Sequence, residues 1–192
     1  MDMWWITDNC PSLSALARYG IQFKRDTSKI RSRFVQSVRD HYLDTQTGIF
    51  ATCINPKSFK QIQGSRGISV MYGLHFLRDI DERFAVEQYS LGKRSFIRGT
   101  LGLTAAREFS DGVEGQGDVD SGPILLGLGP FASGSAIAAA AVMDDCETAN
   151  QLARASVLAG APVLKNGELQ YTLIPTVGQS VILWGKTLLL KK

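Results

Sequence analysis

Apolar residues fall into two textures that alternate along the chain, and this alternation limits the fold more than any other feature. One texture is rich in small residues and nearly free of charge: residues 11–19 (PSLSALARY), 67–77 (GISVMYGLHFL), 133–143 (SGSAIAAAAVM) and 177–184 (VGQSVILW). The other is polar with one apolar stripe. Residues 26–43 place Ile30, Phe34, Val38 and Tyr42 four apart among Arg, Lys, Ser and Gln. Residues 81–97 open on an Asp that can cap a helix. Residues 145–159 start on Asp145 and end before Gly160 and Pro162, a full start-and-stop signature. A helix apolar all round is buried, whereas a helix with one stripe covers it from outside. The order therefore predicts helical hairpins, each with one inner and one outer helix, in an all-α curved double layer of the (α/α) toroid type.

The connections sort by length. Inner-to-outer links are short (GIQFKR, RDI and the Asp144–Asp145 step), and outer-to-inner links are long (44–66, 100–132 and 161–176). Parallel inner helices would put every long loop on one face, where binding and catalysis usually sit. The last loop contains VLKNGELQY, whose Asn-Gly step between short strand-like runs predicts a β-hairpin near 163–171.

Between Asp120 and Asp144 no side chain is charged, a stretch long enough to cross a bilayer. Acidic flanks, Pro130, the glycines 127, 129 and 134, and the preponderance of alanine argue instead for a buried inner helix. No membrane span is expected, and an integral membrane protein is the weakest reading. The net charge of +3 does not call for a nucleic-acid partner, and the basic run from Lys24 to Arg39 reads as a solvated outer face. Cys10, Cys53 and Cys146 are far apart, no CxxC occurs, and His41 and His75 are the only histidines, so no metal or cofactor is expected. His75, inside an apolar helix, reads as a core histidine. The N-terminus MDMWWITDNC lacks a signal-peptide pattern, which makes a cytoplasmic location the expectation. Its abrupt Trp-Trp start suggests part of a longer chain.

Polar motifs precede three inner helices: WITDNCPSL, IQGSRGISV and GQGDVDSGP. On a shared loop face, Asp8, Arg66, Asp118 and Asp120 would converge at one mouth, with Glu108 and Glu114 as further acids. Two carboxyls in different environments can divide into an acid and a base, as glycosidases require. The plainer reading makes Asp8 and Asp120 (or Ser121) helix caps ahead of Pro11 and Pro123, and gives Arg66 a salt bridge. Trp5 and Tyr72 stand near the loop face, where aromatic rings could stack on a sugar ring. Cys53 lies in a long loop without a neighbouring His and makes a weak nucleophile.

Taken in order, WITDNCPSLSALARY, LDTQTGIF, GSRG and GDVDSGPILLGLGPFASGSAIAAA resemble bacterial (α/α)6-toroid proteins. The resemblance is to linalool dehydratase-isomerase-like proteins and, more distantly, to toroid glycoside hydrolases. It implies a ring of hairpins with its active site at the loop end, of which this chain would be a partial ring: one domain over 1–192, or the C-terminal part of a longer toroid. It also implies acid/base roles for Asp8, Asp44, Asp118 and Asp120. Linalool dehydratase-isomerase uses cysteines as well, and these motifs do not align Cys10 or Cys53 with them.

These readings combine into an acid/base enzyme domain, a hydrolase or lyase/hydratase, acting on a carbohydrate or other small hydroxylated substrate. Asp118, Asp120 and Asp8 would be catalytic, and Arg66, Asp44, Tyr72 and Trp5 would bind substrate. A second copy or a missing N-terminal part would complete the ring. The alternative is a non-catalytic partial toroid that binds a glycan or a protein.

Overall fold

The computed structural model describes residues 2–100, 102–174 and 176–190. The chain divides into two compact units, residues 1–95 and 96–192. Seven helices are present among the described residues, with three small antiparallel sheets between them.

In the first unit, β1 (Trp4–Trp5) leads into α1 (Ile6–Gln22), followed by α2 (Ser28–His41), β2 (Cys53–Ile54), β3 (Gln61–Gln63), α3 (Gly67–Ile80) and α4 (Glu82–Phe96), whose last residue belongs to the second unit. The two apolar helices, α1 and α3, form the main packing contact. Gly73 permits it, because a Cβ there would lie 3.0 Å from Thr7 Cγ2 and 3.2 Å from Phe50 Cζ. The amphipathic pair, α2 and α4, is joined by Arg39, which pairs with Glu87 at 2.7 Å and lies 4.5 Å over the Phe84 ring. The two small-residue helices therefore meet, and the two amphipathic helices are linked, but α1 departs from the expected inner helix: it is buried on one stripe only (Ile6, Thr7, Cys10, Ser14, Ala17 and Gly20) and exposed on its other side. Phe50, Phe84, Met71 and Leu74 are fully buried, each stabilising the unit by about 2–3 kcal/mol through lost apolar exposure.

Strands β1, β2 and β3 form one sheet, with Trp5 opposite Cys53 and Cys53 opposite Gln63. This sheet ties the start of α1 to the loop that leads into α3, so the two inner helices begin at the same end. The Trp4–Trp5 pair is half-buried in this sheet, and Trp4 packs edge-on against Tyr42 at 4.9 Å. Cys53, which the sequence places in a long loop, is buried in this sheet as well.

The second unit contains β4 (Ile97–Thr100), β5 (Leu103–Ala106), α5 (Pro130–Val142), α6 (Cys146–Ala159), β6 (Pro162–Lys165), β7 (Glu168–Tyr171) and α7 (Thr176–Leu189). The expected hairpin is β6–β7, turning on Asn166 (φ 53°) and Gly167 (φ 81°). The β4–β5 hairpin was not expected within 100–132; it closes beside Gly102 (φ 77°). α6 has the predicted cap, with Asp145 accepting from Thr148 N at 3.2 Å, and Gly160 at its end.

α5 starts at Pro130, a favoured first helical position. Residues Ala132 and Gly134 to Ala141 are all buried, as a helix apolar all round should be. Its 13 residues span only about 20 Å against the ~30 Å of a hydrocarbon core. No described helix is long and apolar enough to cross a membrane. α7 departs from the expected buried inner helix. Only Gly178, Ile182 and Gly185 are buried, where it packs on α5, while Val177 and Leu183 are exposed.

Candidate functional site

In the first unit, Trp5, Asp8, Asp44, Arg66 and Tyr72 lie at the loop end shared by α1 and α3. Asp8 is not a cap: α1 begins at Ile6, which puts Asp8 in the first turn and Pro11 inside the helix. Its carboxylate is exposed at a helix N-terminus, where the backbone favours negative charge. Its charge reaches three neighbours. Burial first, then Asp8 and Cys10, push the Tyr72 hydroxyl up from its ordinary range. Burial and then Asp8 push the Cys10 thiol up to about 12. Burial raises Cys53, a Trp4 backbone hydrogen bond opposes that rise, and Asp8 adds to it. Both thiols are thus held protonated, and the fully buried pair does not suit nucleophilic attack.

Asp44 is a buried staple. Its Oδ1 accepts from Gln46 N at 2.8 Å and Thr47 N at 3.3 Å, and its Oδ2 accepts from Ser65 N at 2.7 Å. These bonds fasten residues 44–47 to the segment entering α3 and account for the carboxylate without a substrate. Arg66 is the buried residue preceding α3, and its carbonyl accepts from Val70 N at 2.9 Å. Tyr72 is partly exposed, with its ring 5.1 Å from that of Phe76. Trp5 is half-buried, and its carbonyl accepts from Asn9 Nδ2 at 3.0 Å.

Asp118 and Asp120 belong to the second unit. Neither caps a helix, because α5 begins at Pro130 behind Gly129. They shape a turn instead: Asp118 Oδ1 accepts from Asp120 N at 3.1 Å and Ser121 N at 2.9 Å, and the buried Ser121 Oγ accepts from Asp118 N at 2.9 Å. The turn forms one side of an open groove of about 1100 Å³, whose wall includes Asp118, Asp120, Pro123, Ile124, Phe131 and Val177. Phe131 stands in the first turn of α5 and Val177 in the first turn of α7, which places the groove at the N-terminal ends of both helices. The two acids differ in setting: Asp118 has an oxygen fixed by two backbone N–H groups, and Asp120 stands in solvent at the groove wall.

The sequence pointed less strongly to Glu108. It is fully buried, and a Cβ on Gly129, the residue before α5, would lie 3.0 Å from its Oε2. A buried acid against a helix start was legible only as an acid inside a long loop. Its neighbour Arg107 pairs with Asp111, as does Arg98, at 2.6 Å. Exposed Glu114 lies in the same loop. Among the described residues, no three His, Cys, Asp or Glu side chains are grouped to hold a metal ion.

No protein-family model matches the chain, and no curated protein shows significant similarity to it.

Proposed function

We propose that the chain is an acid/base enzyme domain of (α/α)-toroid type, a hydrolase or lyase/hydratase acting on a small hydroxylated substrate. The observation that carries this reading is the groove at the starts of α5 and α7, with two carboxylates of unlike setting on its wall and Phe131 beside them. Asp120, open to the groove, exchanges the proton with the substrate. Asp118, tied to the backbone, holds the turn and stabilises developing positive charge. Asp8, with Tyr72 beside it, is the acid/base pair of the first unit. Supporting the toroid are the α1–α3 and α5–α7 contacts between small-residue helices and the Arg39 link between amphipathic ones.

The test is a panel of nitrophenyl glycosides and unsaturated tertiary alcohols, assayed with the full chain for product release and, by calorimetry, for binding. Turnover of one class supports the proposal. Saturable glycan binding without turnover assigns the groove to a binding module instead.

A further inference from the structure

The basic run from Lys24 to Arg39 separates into engaged and open cations. Arg31 donates to the Asp79 and Ile80 carbonyls at 3.4 and 2.8 Å, and Arg39 is held by Glu87. Lys24, Arg25, Lys29 and Arg33 are exposed, and none forms an ion pair among the described residues. Beside them stand large apolar side chains that the fold does not cover: Ile21 is 81% exposed, Phe23 61% and Ile30 55%.

The α1–α2 turn fixes this arrangement. Phe23 N donates to Tyr19 O at 2.9 Å, and Arg25 N donates to Gly20 O at 2.8 Å. Lys24 takes the left-handed conformation at φ 52°. A Cβ on Gly20 would lie 2.7 Å from Arg25 O and 2.8 Å from Thr27 Oγ1, so the turn closes tightly against α1. The Tyr19 ring packs on Phe23 at 4.7 Å. The turn's one acid, Asp26, is occupied by Ser28 N at 2.9 Å.

We propose that this turn docks on an anionic lipid surface. Ile21 and Phe23 enter the headgroup–acyl boundary while Lys24, Arg25, Lys29 and Arg33 meet lipid phosphates. Charge complementarity selects this partner. A second copy would set four cations against four like charges, and nucleic acid would leave Ile21 and Phe23 in water. This is a surface contact, not a membrane span, and it is independent of the groove chemistry.

The experiment is co-sedimentation of the full chain with vesicles of phosphatidylglycerol and phosphatidylcholine in equal parts, and with phosphatidylcholine alone. Binding is expected to the anionic vesicles only and to weaken at high salt. Lys24→Asn with Arg25→Gln should lower the partition coefficient about 25-fold, and Asn tolerates the left-handed backbone at that position. Ile21→Ser with Phe23→Ser should lower it about tenfold or more. Circular dichroism of both double variants checks that the fold is kept. No binding to anionic vesicles, or binding that both variants leave unchanged, overturns the proposal. Concentration-dependent self-association in sedimentation velocity, abolished by Ile21→Ser with Phe23→Ser and without vesicle binding, overturns it in favour of a second copy.

Discussion

Single residues in this chain owe their chemistry to burial. Cys10 and Cys53 are buried and held protonated, whereas Cys146 is exposed at the start of α6. A thiol reagent should therefore titrate Cys146 alone in the native protein, and all three cysteines after unfolding. Fast reaction of Cys10 or Cys53 in the folded protein would contradict their burial. His75 provides a pH test. Burial, aided by Arg18 and opposed by Asp79, lowers its titration from 6.5 to about 4. Between those values the unfolded chain binds a proton that the folded chain refuses. Stability should fall as pH drops through that window, by about 3 kcal/mol when the shift is fully expressed. Urea unfolding at pH 7 and pH 4.5 should show this loss, smaller in His75→Gln. Of the candidate site residues, Asp44 was legible as an acid in a loop but not as a staple, because its partners at 46, 47 and 65 depend on where a long loop returns. Removing it, as Asp44→Ala, strands the buried Ser65 N–H and releases the partly buried Gln46 and Thr47 N–H groups, and should destabilise the first unit by roughly 1–3 kcal/mol, measured by urea unfolding.

At the scale of elements, periodicity located each of the seven helices among the described residues, since the apolar or amphipathic pattern is local. The ends were harder. α1 starts before Asp8 because β1 fixes Trp5 opposite Cys53, a pairing across a long loop that no local pattern encodes. The same holds for the β4–β5 hairpin, which lacks the Asn-Gly signal that made β6–β7 readable. The cap reading of Asp120 failed because Pro123 resembles a helix start as well as Pro130 does; only Pro130 leads into a segment, Gly134 to Ala141, that is buried throughout and, Ile137 apart, made of small residues. That run lets α7 approach closely. A Cβ on Gly185 would lie 2.8 Å from Ile137 Cβ and 3.1 Å from Ala138 N, where backbone cannot yield. Gly185→Ala should lower stability by about 1–3 kcal/mol, read by thermal unfolding. An unchanged melting temperature would mean that the α5–α7 contact is looser than described.

For the whole molecule, the alternation of textures foretold a mostly helical chain, and in each unit two of the small-residue helices pack on each other (α1 on α3, α5 on α7), although α1 and α7 are buried on one side only. A closed ring and its substrate depend on contacts that one chain's pattern does not encode, so the toroid enters as a proposal. The chemistry of the groove can be tested directly. Asp120→Asn keeps the side chain's shape and removes its acid/base function, and Asp118→Asn keeps an acceptor for the turn. The deciding measurement is turnover by the full chain carrying Asp120→Asn, with thermal unfolding on the same sample. The account predicts a fall of about 100-fold or more with an unchanged melting temperature. Turnover equal to that of the unaltered chain would contradict it.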